Sequence, residues 1–398
     1  MSLARRRLGI GVVGFGWMGR AHSRSMLRIP TLFSDRRHTP ELVICSDTVA
    51  ARVDEALRDF GFREGTENWQ RVVEHPDVDV VMVTAPNMLH LPVIEAATKA
   101  GKHVFCEKPV GGTPEQTVCA EHAARTAGVI SGVGYNYRWA PLVLEAKRLI
   151  DEGTLGTITN YRGRFFSTYG ADPLGFLSWR YLAEQEGHGV SSDLLSHAVD
   201  LASFLVGPIS RVVGSGETFI KERPLARVGE GTHYDRGSKD DPTGRVTNED
   251  YAGMLCTLHR GGHATFEASR SMVGPESQMA FDVYGTEGAL SWNLERMNEL
   301  ALYLRSDGRY AGYRTVFGGD RFPYHGNFVP GNANGIGFED LIVIGDHEYC
   351  QSVVAGREHH PGFSDALQYV SVQAALLRSW ESGRWETVVS FSEAACVP

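Results

Sequence analysis

The sequence predicts a chain of two parts. An α/β N-terminal domain built on a doubly wound parallel sheet is followed by an α+β domain with a large, mostly antiparallel sheet. Three observations carry this prediction. Residues 1–134 alternate short apolar runs with amphipathic stretches. Beyond residue 157, strand patterns succeed one another with few helices between them. And 398 residues are too many for one hydrophobic core. The expected boundary falls between 134 and 135, leaving 135–398 as a substrate-binding and oligomerisation domain.

In the first part, strands are predicted at 8–13, 41–45, 78–84, 103–106 and 129–133, and helices at 18–29, 49–60, 90–100 and 114–127. Continuous β-branched runs separated by helices signal a parallel sheet covered on both faces. Right-handed crossovers then wind it in both directions and place ligands beyond the carboxyl ends of the strands. A connecting helix is predicted at 141–152. Strands follow at 157–166, 211–219, 251–258, 263–269, 279–284, 289–292 and 300–304, interrupted by one helix at 190–205. Strands without intervening helices pair antiparallel. Segments 221–250 and 306–337 read as long loops, functional or disordered. The second carries Phe, Tyr, His and Arg, a composition suited to covering a substrate. Helices at 339–354 and 364–382 close the chain, and no internal repeat or low-complexity tract is present.

Composition narrows the function classes. A net charge of −9 leaves no basic excess to neutralise phosphates, which argues against a nucleic-acid partner. Arg5-Arg6-Arg7 is the only basic run and reads as a solvated tail. No apolar stretch reaches the ~18 residues of a membrane-spanning helix, and no apolar signal region follows the arginines. Met1-Ser2-Leu3 reads as a cloning remnant. The cysteines at 45, 106, 119, 256, 350 and 396 are scattered, with no C-x-x-C pair. They are expected to be reduced thiols of a cytoplasmic protein without structural zinc.

The most informative motif is Gly14-Phe15-Gly16-Trp17-Met18-Gly19, directly after the first strand and directly before a helix. In that context G-x-G-x-x-G aims backbone N–H groups and a helix N-terminus at a pyrophosphate. Gly14 permits the tight turn, Gly16 lets the backbone approach the phosphates, and Gly19 lets helix and strand pack closely. The alternative is an ordinary glycine-rich βα turn; the strand–turn–helix context favours a dinucleotide site. Asp47, after the second strand, can accept hydrogen bonds from the adenosine ribose and so select NAD over NADP. It lies 28 residues beyond Gly19 rather than the usual roughly 20. The polar piece 34–40 reads as an insertion that accounts for the excess. NADP stays open, as does a plain N-cap role for Asp47.

Glu107-Lys108-Pro109 ends another strand, and a lysine there projects toward the expected nicotinamide crevice. Its ammonium can donate a proton or, with a lowered pKa, act as a base. The proline fixes the turn, with a cis peptide bond as one way to do so. On the predicted helix 190–205, Asp193 and His197 stand at i and i+4, and Asp200 continues the same face. Acid, imidazole and acid on an apolar helix suit a carboxylate that orients a histidine. A core histidine satisfied by its helix neighbour is the competing account. A metal site of His188, Asp193 and His197 lacks a supporting ligand pair, so no metal is assigned.

Taken together, GFGWMG at 14–19, TAPNMLH at 84–90, EKP at 107–109, YNYRWAP at 135–141, WR at 179–180 and DLLSHAVD at 193–200 resemble the glucose–fructose oxidoreductase / inositol dehydrogenase / rhizopine-catabolism (Gfo/Idh/MocA) family over essentially the whole chain. The resemblance implies a Rossmann domain and makes Lys108, Asp193 and His197 the catalytic set. It adds Thr84, Pro86, Asn87, His90, Glu107 and Asn136 to the cofactor site. It assigns Tyr135, Arg138, Trp179 and Arg180, with the catalytic set, to the substrate. The chain departs from the family pattern in the insertion before Asp47. It also has Gly187-His188-Gly189 where a GGG run precedes the aspartate.

The implied activity is NAD(P)-dependent oxidation of a secondary alcohol of a sugar, sugar acid or cyclic polyol. The hydroxyl proton passes to His197 or Lys108, Asp193 holds the His197 tautomer, and Lys108 polarises the oxygen. Glycoside cleavage by transient oxidation and a non-catalytic NAD/sugar sensor are the alternatives. The half-apolar open face of the second sheet predicts a homo-oligomer, dimer or tetramer.

Overall fold

A computed structural model describes residues 5–226 and 235–391. The Met1-Ser2-Leu3 segment, Cys396 and positions 227–234 of the expected loop lie outside the described residues.

The N-terminal sheet contains β1 (Arg6–Val13), β2 (His38–Ser46), β3 (Glu64–Thr66), β4 (Val80–Val83), β5 (His103–Cys106) and β6 (Ser131–Val133). Their order is β3-β2-β1-β4-β5-β6, with every neighbouring pair parallel. The central strands are the apolar runs of the sequence: Leu8, Ile10, Val12 and all of Val80–Val83 are fully buried. Helices α1 (Trp17–Leu32), α2 (Ala50–Phe60), α3 (Gln70–Glu74), α4 (His90–Lys99) and α5 (Pro114–Ala127) supply the crossovers. Local signals fix α5. Pro114 opens it, the Thr113 hydroxyl accepts from the Gln116 N–H, and Gly128 ends it in the left-handed conformation. β3 and α3 are too short to show a period in the sequence.

The second sheet has nine strands: β7 (Ile158–Ser167), β8 (Ile209–Glu217), β11 (Tyr251–Leu258), β12 (His263–Ser269), β13 (Ser277–Gly285), β14 (Gly288–Asn293), β15 (Glu299–Leu304), β16 (Arg314–Phe317) and β17 (Glu386–Thr387). Between them in sequence, β9 (Glu222–Pro224) and β10 (Thr243–Arg245) form a separate antiparallel pair inside the expected loop 221–250. The nine-stranded order is β16-β15-β14-β13-β7-β12-β11-β8-β17, antiparallel throughout except for the parallel pair β12–β7. The expected loop 306–337 is likewise partly structured. β16 forms the sheet edge against β15, and the short helix α10 (His325–Phe328) follows it.

One face of this sheet is buried, with Tyr161, Phe165, Phe266, Phe281 and Trp292 in its core. Helices α6 (Pro141–Asp151), α9 (Leu195–Val206) and α12 (Phe363–Ser382) pack there. The expected single helix 190–205 is two: the short α8 (Val190–Asp193) and α9, with the chain turning at Leu194. α7 (Ala183–Glu186) precedes them. The helix α11 (Phe338–Ala355) lies against α1 and contributes Val343, Ile344, Tyr349 and Val353 to a core shared with the N-terminal sheet. Among the described residues, no helix is long and apolar enough to cross a membrane.

Candidate active site

The glycine turn has the shape that its sequence predicts. Gly14 adopts φ +92°, and a Cβ there would stand 2.7 Å from the Ala85 backbone. A Cβ on Gly19 would stand 2.2 Å from the Gly14 carbonyl oxygen, so only glycine lets α1 approach β1 this closely. A Cβ on Gly16 would meet nothing within 4 Å, which leaves an open cradle at the N-terminus of α1. The Thr84 hydroxyl braces the turn by donating to the Gly14 carbonyl at 2.5 Å. Asp47 braces it from the other side, accepting from the Phe15 N–H at 2.7 Å and the Val49 N–H at 2.9 Å. The Asp47 carboxylate therefore sits at the cradle and does more than cap a helix. Phe15 itself is core, edge-on to Phe60 and Phe62. Trp17 is exposed and stacks on Phe338 at 5.6 Å. Met18 is half-buried.

Beyond the ends of β4 and β5 the two parts of the chain meet. The Lys108 ammonium donates to Asp193 Oδ1 at 2.6 Å and to the Asp193 carbonyl at 2.9 Å. The Lys108–Pro109 peptide is cis. Tyr169 donates its phenol to Asp193 Oδ2 at 2.7 Å, and Arg180 Nη1 lies 3.5 Å from Oδ1. Burial alone would raise the Asp193 pKa. The Lys108 and Arg180 cations and these hydrogen bonds overcome it and hold the carboxyl well below its ordinary range. His197 is buried among Tyr135, Tyr137 and Phe165, with ring centroids at 6.0, 4.7 and 5.9 Å. Burial, reinforced by the Lys108 charge, pushes its pKa well down, so the imidazole is neutral.

The expected Asp193–His197 contact is a correction. Asp193 makes no hydrogen bond to His197 among the described residues; its oxygens go to Lys108, Tyr169 and Arg180 instead. Asp200 differs as well. It accepts from Arg138 Nε at 2.8 Å and Nη2 at 2.6 Å, while Asp365 accepts from Arg138 Nη1 at 3.0 Å. The Arg138 guanidinium is thus committed to a buried structural ion-pair knot. Trp179 and Arg180 are at the site, the guanidinium lying over the indole at 4.6 Å.

The loop at 84–90 also ties neighbouring segments together. The His90 ring is buried, with nitrogens 2.8 Å from the carbonyl oxygens of Pro109 and Ala85. Asn87 donates to the Glu186 carbonyl at 3.1 Å, joining the loop to α7. Pro86 precedes a short 3-10 turn. Glu107 accepts from His22 Nε2 at 2.9 Å, and His22 Nδ1 faces Asp346 at 2.9 Å. The Asn136 amide nitrogen is buried without a hydrogen-bond partner among the described residues. Sequence reasoning missed Tyr169, Glu186, His22 and Asp346. No local spacing links any of them to Lys108 or Glu107. His22, three residues after Gly19 and inside α1, is the nearest thing to a signal.

Comparison with known proteins agrees with this geometry. Residues 8–135 match a family model described as an oxidoreductase family with an NAD-binding Rossmann fold. Residues 143–291 match the GFO/IDH/MocA C-terminal domain. Levoglucosan dehydrogenase of Pseudarthrobacter phenanthrenivorans is 32% identical over 388 residues, 97% of this chain and 100% of that one. The scyllo-inositol 2-dehydrogenase (NAD(+)) of Bacillus subtilis is 30% identical over 207 residues, 52% of this chain and 56% of that one. The solved structure of levoglucosan dehydrogenase in complex with NADH superposes with a TM-score of 0.91 at 32% identity, covering 97% of this chain and 100% of that chain. Along its whole length and in its fold, this chain belongs to the Gfo/Idh/MocA family of oxidoreductases and carries that family's NAD-binding Rossmann domain.

Proposed function

We propose that this protein is an NAD-dependent dehydrogenase acting on a secondary alcohol of a sugar or cyclic polyol, with an anhydro sugar such as levoglucosan as the first substrate to test. The observation that carries the reading is the Lys108–Asp193 ion pair beyond the end of β5, in the same parallel sheet whose β1 ends in an open glycine cradle, in a chain similar end to end to a levoglucosan dehydrogenase.

Oxidising a secondary alcohol removes a hydride from carbon and a proton from oxygen. NAD+, when bound, supplies the hydride acceptor. The Gly14–Gly19 turn and Asp47 would hold that cofactor, with Asn136 offering a buried donor near Glu107. Lys108 is the group for the substrate oxygen: an ammonium fixed by Asp193 stabilises the charge that develops there. His197, neutral in its aromatic box, has a free-base form to take up the hydroxyl proton, and because burial and the Lys108 charge disfavour its charged form it would relay that proton and not retain it. Asp193, kept ionised, holds Lys108 and not His197. Tyr135, Trp179 and Arg180 complete the substrate wall.

In this reading the labour divides at 134/135, and the open face of the nine-stranded sheet covers itself with a second copy of the chain. The protein acts in the cytoplasm, without a nucleic-acid or membrane partner. A panel of sugars and inositols, assayed for NADH absorbance with NADP run in parallel, tests the proposal. NADH formation from at least one polyol is the expected result. NADH binding without turnover of any polyol would overturn the dehydrogenase reading in favour of a sensor.

A further inference from the structure

One more carboxyl stands at the site with no role assigned to it. Glu186 ends α7, and only 1% of the residue is exposed. Its backbone is clamped. The carbonyl accepts from Asn87 at 3.1 Å, and Gly187, at φ +86°, packs so tightly that a Cβ there would be 1.9 Å from the Gly112 carbonyl oxygen. Glu186 Oε1 lies 3.6 Å from Arg180 Nη1, while Oε2 is buried with no hydrogen-bond partner among the described residues. The same Nη1 is 3.5 Å from Asp193 Oδ1, and that oxygen takes Lys108 Nζ at 2.6 Å. Glu186, Arg180, Asp193 and Lys108 thus form a row of alternating charge. The remaining charged group facing Glu186 is Arg270, which holds Asp250 at 2.7 Å.

A carboxyl buried with one oxygen unpaired is disfavoured in its ionised form. Burial pushes the Glu186 pKa up to about 8, against the pull of Arg180. Near neutrality, then, Asp193 is the ionised acid of the row and Arg180 leans to it. Once Glu186 ionises, it competes for Arg180, and Asp193 is left more wholly to Lys108.

We propose that Glu186 is a positioning residue for the reaction, acting through Arg180 to set how firmly Asp193 holds the Lys108 ammonium. This rests on the reading of Lys108 and Asp193 as the reacting pair, so the test has one arm that needs no substrate. In that arm, Lys108 is labelled with trinitrobenzenesulfonate and quantified by peptide mass spectrometry across a pH series, in wild type and E186Q. At neutral pH the two should label at equal rates. Well above the Glu186 midpoint, wild type should label about threefold more slowly, because Asp193 then holds the ammonium more firmly. E186D keeps the charge but shortens the reach to Arg180. It should behave like E186Q, and it stands in if E186Q fails to fold. In the second arm, the pH profile of kcat on whichever polyol the enzyme oxidises should lose its limb near the Glu186 midpoint in E186Q, with KM little changed. A wild-type to E186Q labelling ratio that stays constant with pH, in variants that melt and bind NADH normally, would overturn the proposal. Absence of any oxidised polyol would instead count against the dehydrogenase reading and leave the labelling result intact.

Discussion

The Lys108 ammonium and the Asp193 carboxylate meet at 2.6 Å, one from the end of a parallel strand and the other from a short helix 85 residues further along the chain. That contact joins the nucleotide-binding sheet to the second part of the molecule. Because Arg180 and Tyr169 hold Asp193 as well, the carboxylate is fixed by three partners and presents Lys108 in one place.

Asp193 is therefore expected to act through Lys108. D193N keeps the shape and removes the charge. Turnover should fall by about 10²–10⁴, the usual worth of a well-placed acid–base group, while NADH still binds. Steady-state kinetics alongside fluorescence titration of NADH checks this. Turnover near wild type would show that Lys108 needs no counter-charge.

A separate prediction concerns stability. His22 is buried between Glu107 and Asp346. Burial alone would lower its pKa, but Asp346 and Glu107 outweigh it and raise the imidazole to about 10, from 6.5 when unfolded. A raised pKa stabilises fully below the unfolded value, and the contribution is lost as pH climbs toward the folded one. H22Q leaves two buried carboxylates without their cation and should lose about 3–5 kcal/mol at neutral pH. The gap to wild type should narrow as pH nears the folded value, as read by denaturant unfolding. A gap that does not change with pH would mean the ring is uncharged in the fold.

The glycine turn separates folding from binding. A methyl at Gly16 meets no protein atom, whereas one at Gly19 collides with the Gly14 carbonyl. G16A should keep the wild-type melting temperature and weaken NADH binding about tenfold or more, roughly 1.4 kcal/mol. G19A should lose both stability and binding. Calorimetric titration and thermal melts distinguish them, and unaltered NADH affinity in G16A would remove the cofactor from this turn.

The nine-stranded sheet yields a prediction about assembly. Its outer face carries Arg164 and Asp282, paired at 2.8 Å, among Tyr284 and Tyr303. A second copy is expected to cover it. Light scattering should return a multiple of the chain mass. A monomer mass would leave that face bare and contradict the expectation.

Much of this architecture was legible because its signals are local. The bounds of β5, α5, β11 and β12 coincide with the sequence reading, since β-branched runs, Pro114 and Gly128 mark them within a few residues. The missed features are those that depend on distance or brevity. β9, β10 and β16 have three or four residues each, too few for alternation to show, and they hid inside apparent loops. The parallel pairing of β12 with β7 joins Asn160 to His263, and nothing near either residue announces it. Periodicity placed Asp193 and His197 on one helical face. The carboxylate pairs with Lys108 instead, 85 residues away in the chain, a partner that no helical spacing points to. The Glu107–His22–Asp346 clamp spans 324 residues between His22 and Asp346, beyond the reach of any spacing rule.

The account turns on Lys108. K108A, compared with wild type on the best polyol found, should bind NADH with unchanged affinity and form it about 10²–10⁴ more slowly. Equal rates of NADH formation in the two proteins would contradict the assignment of the substrate oxygen to this ammonium.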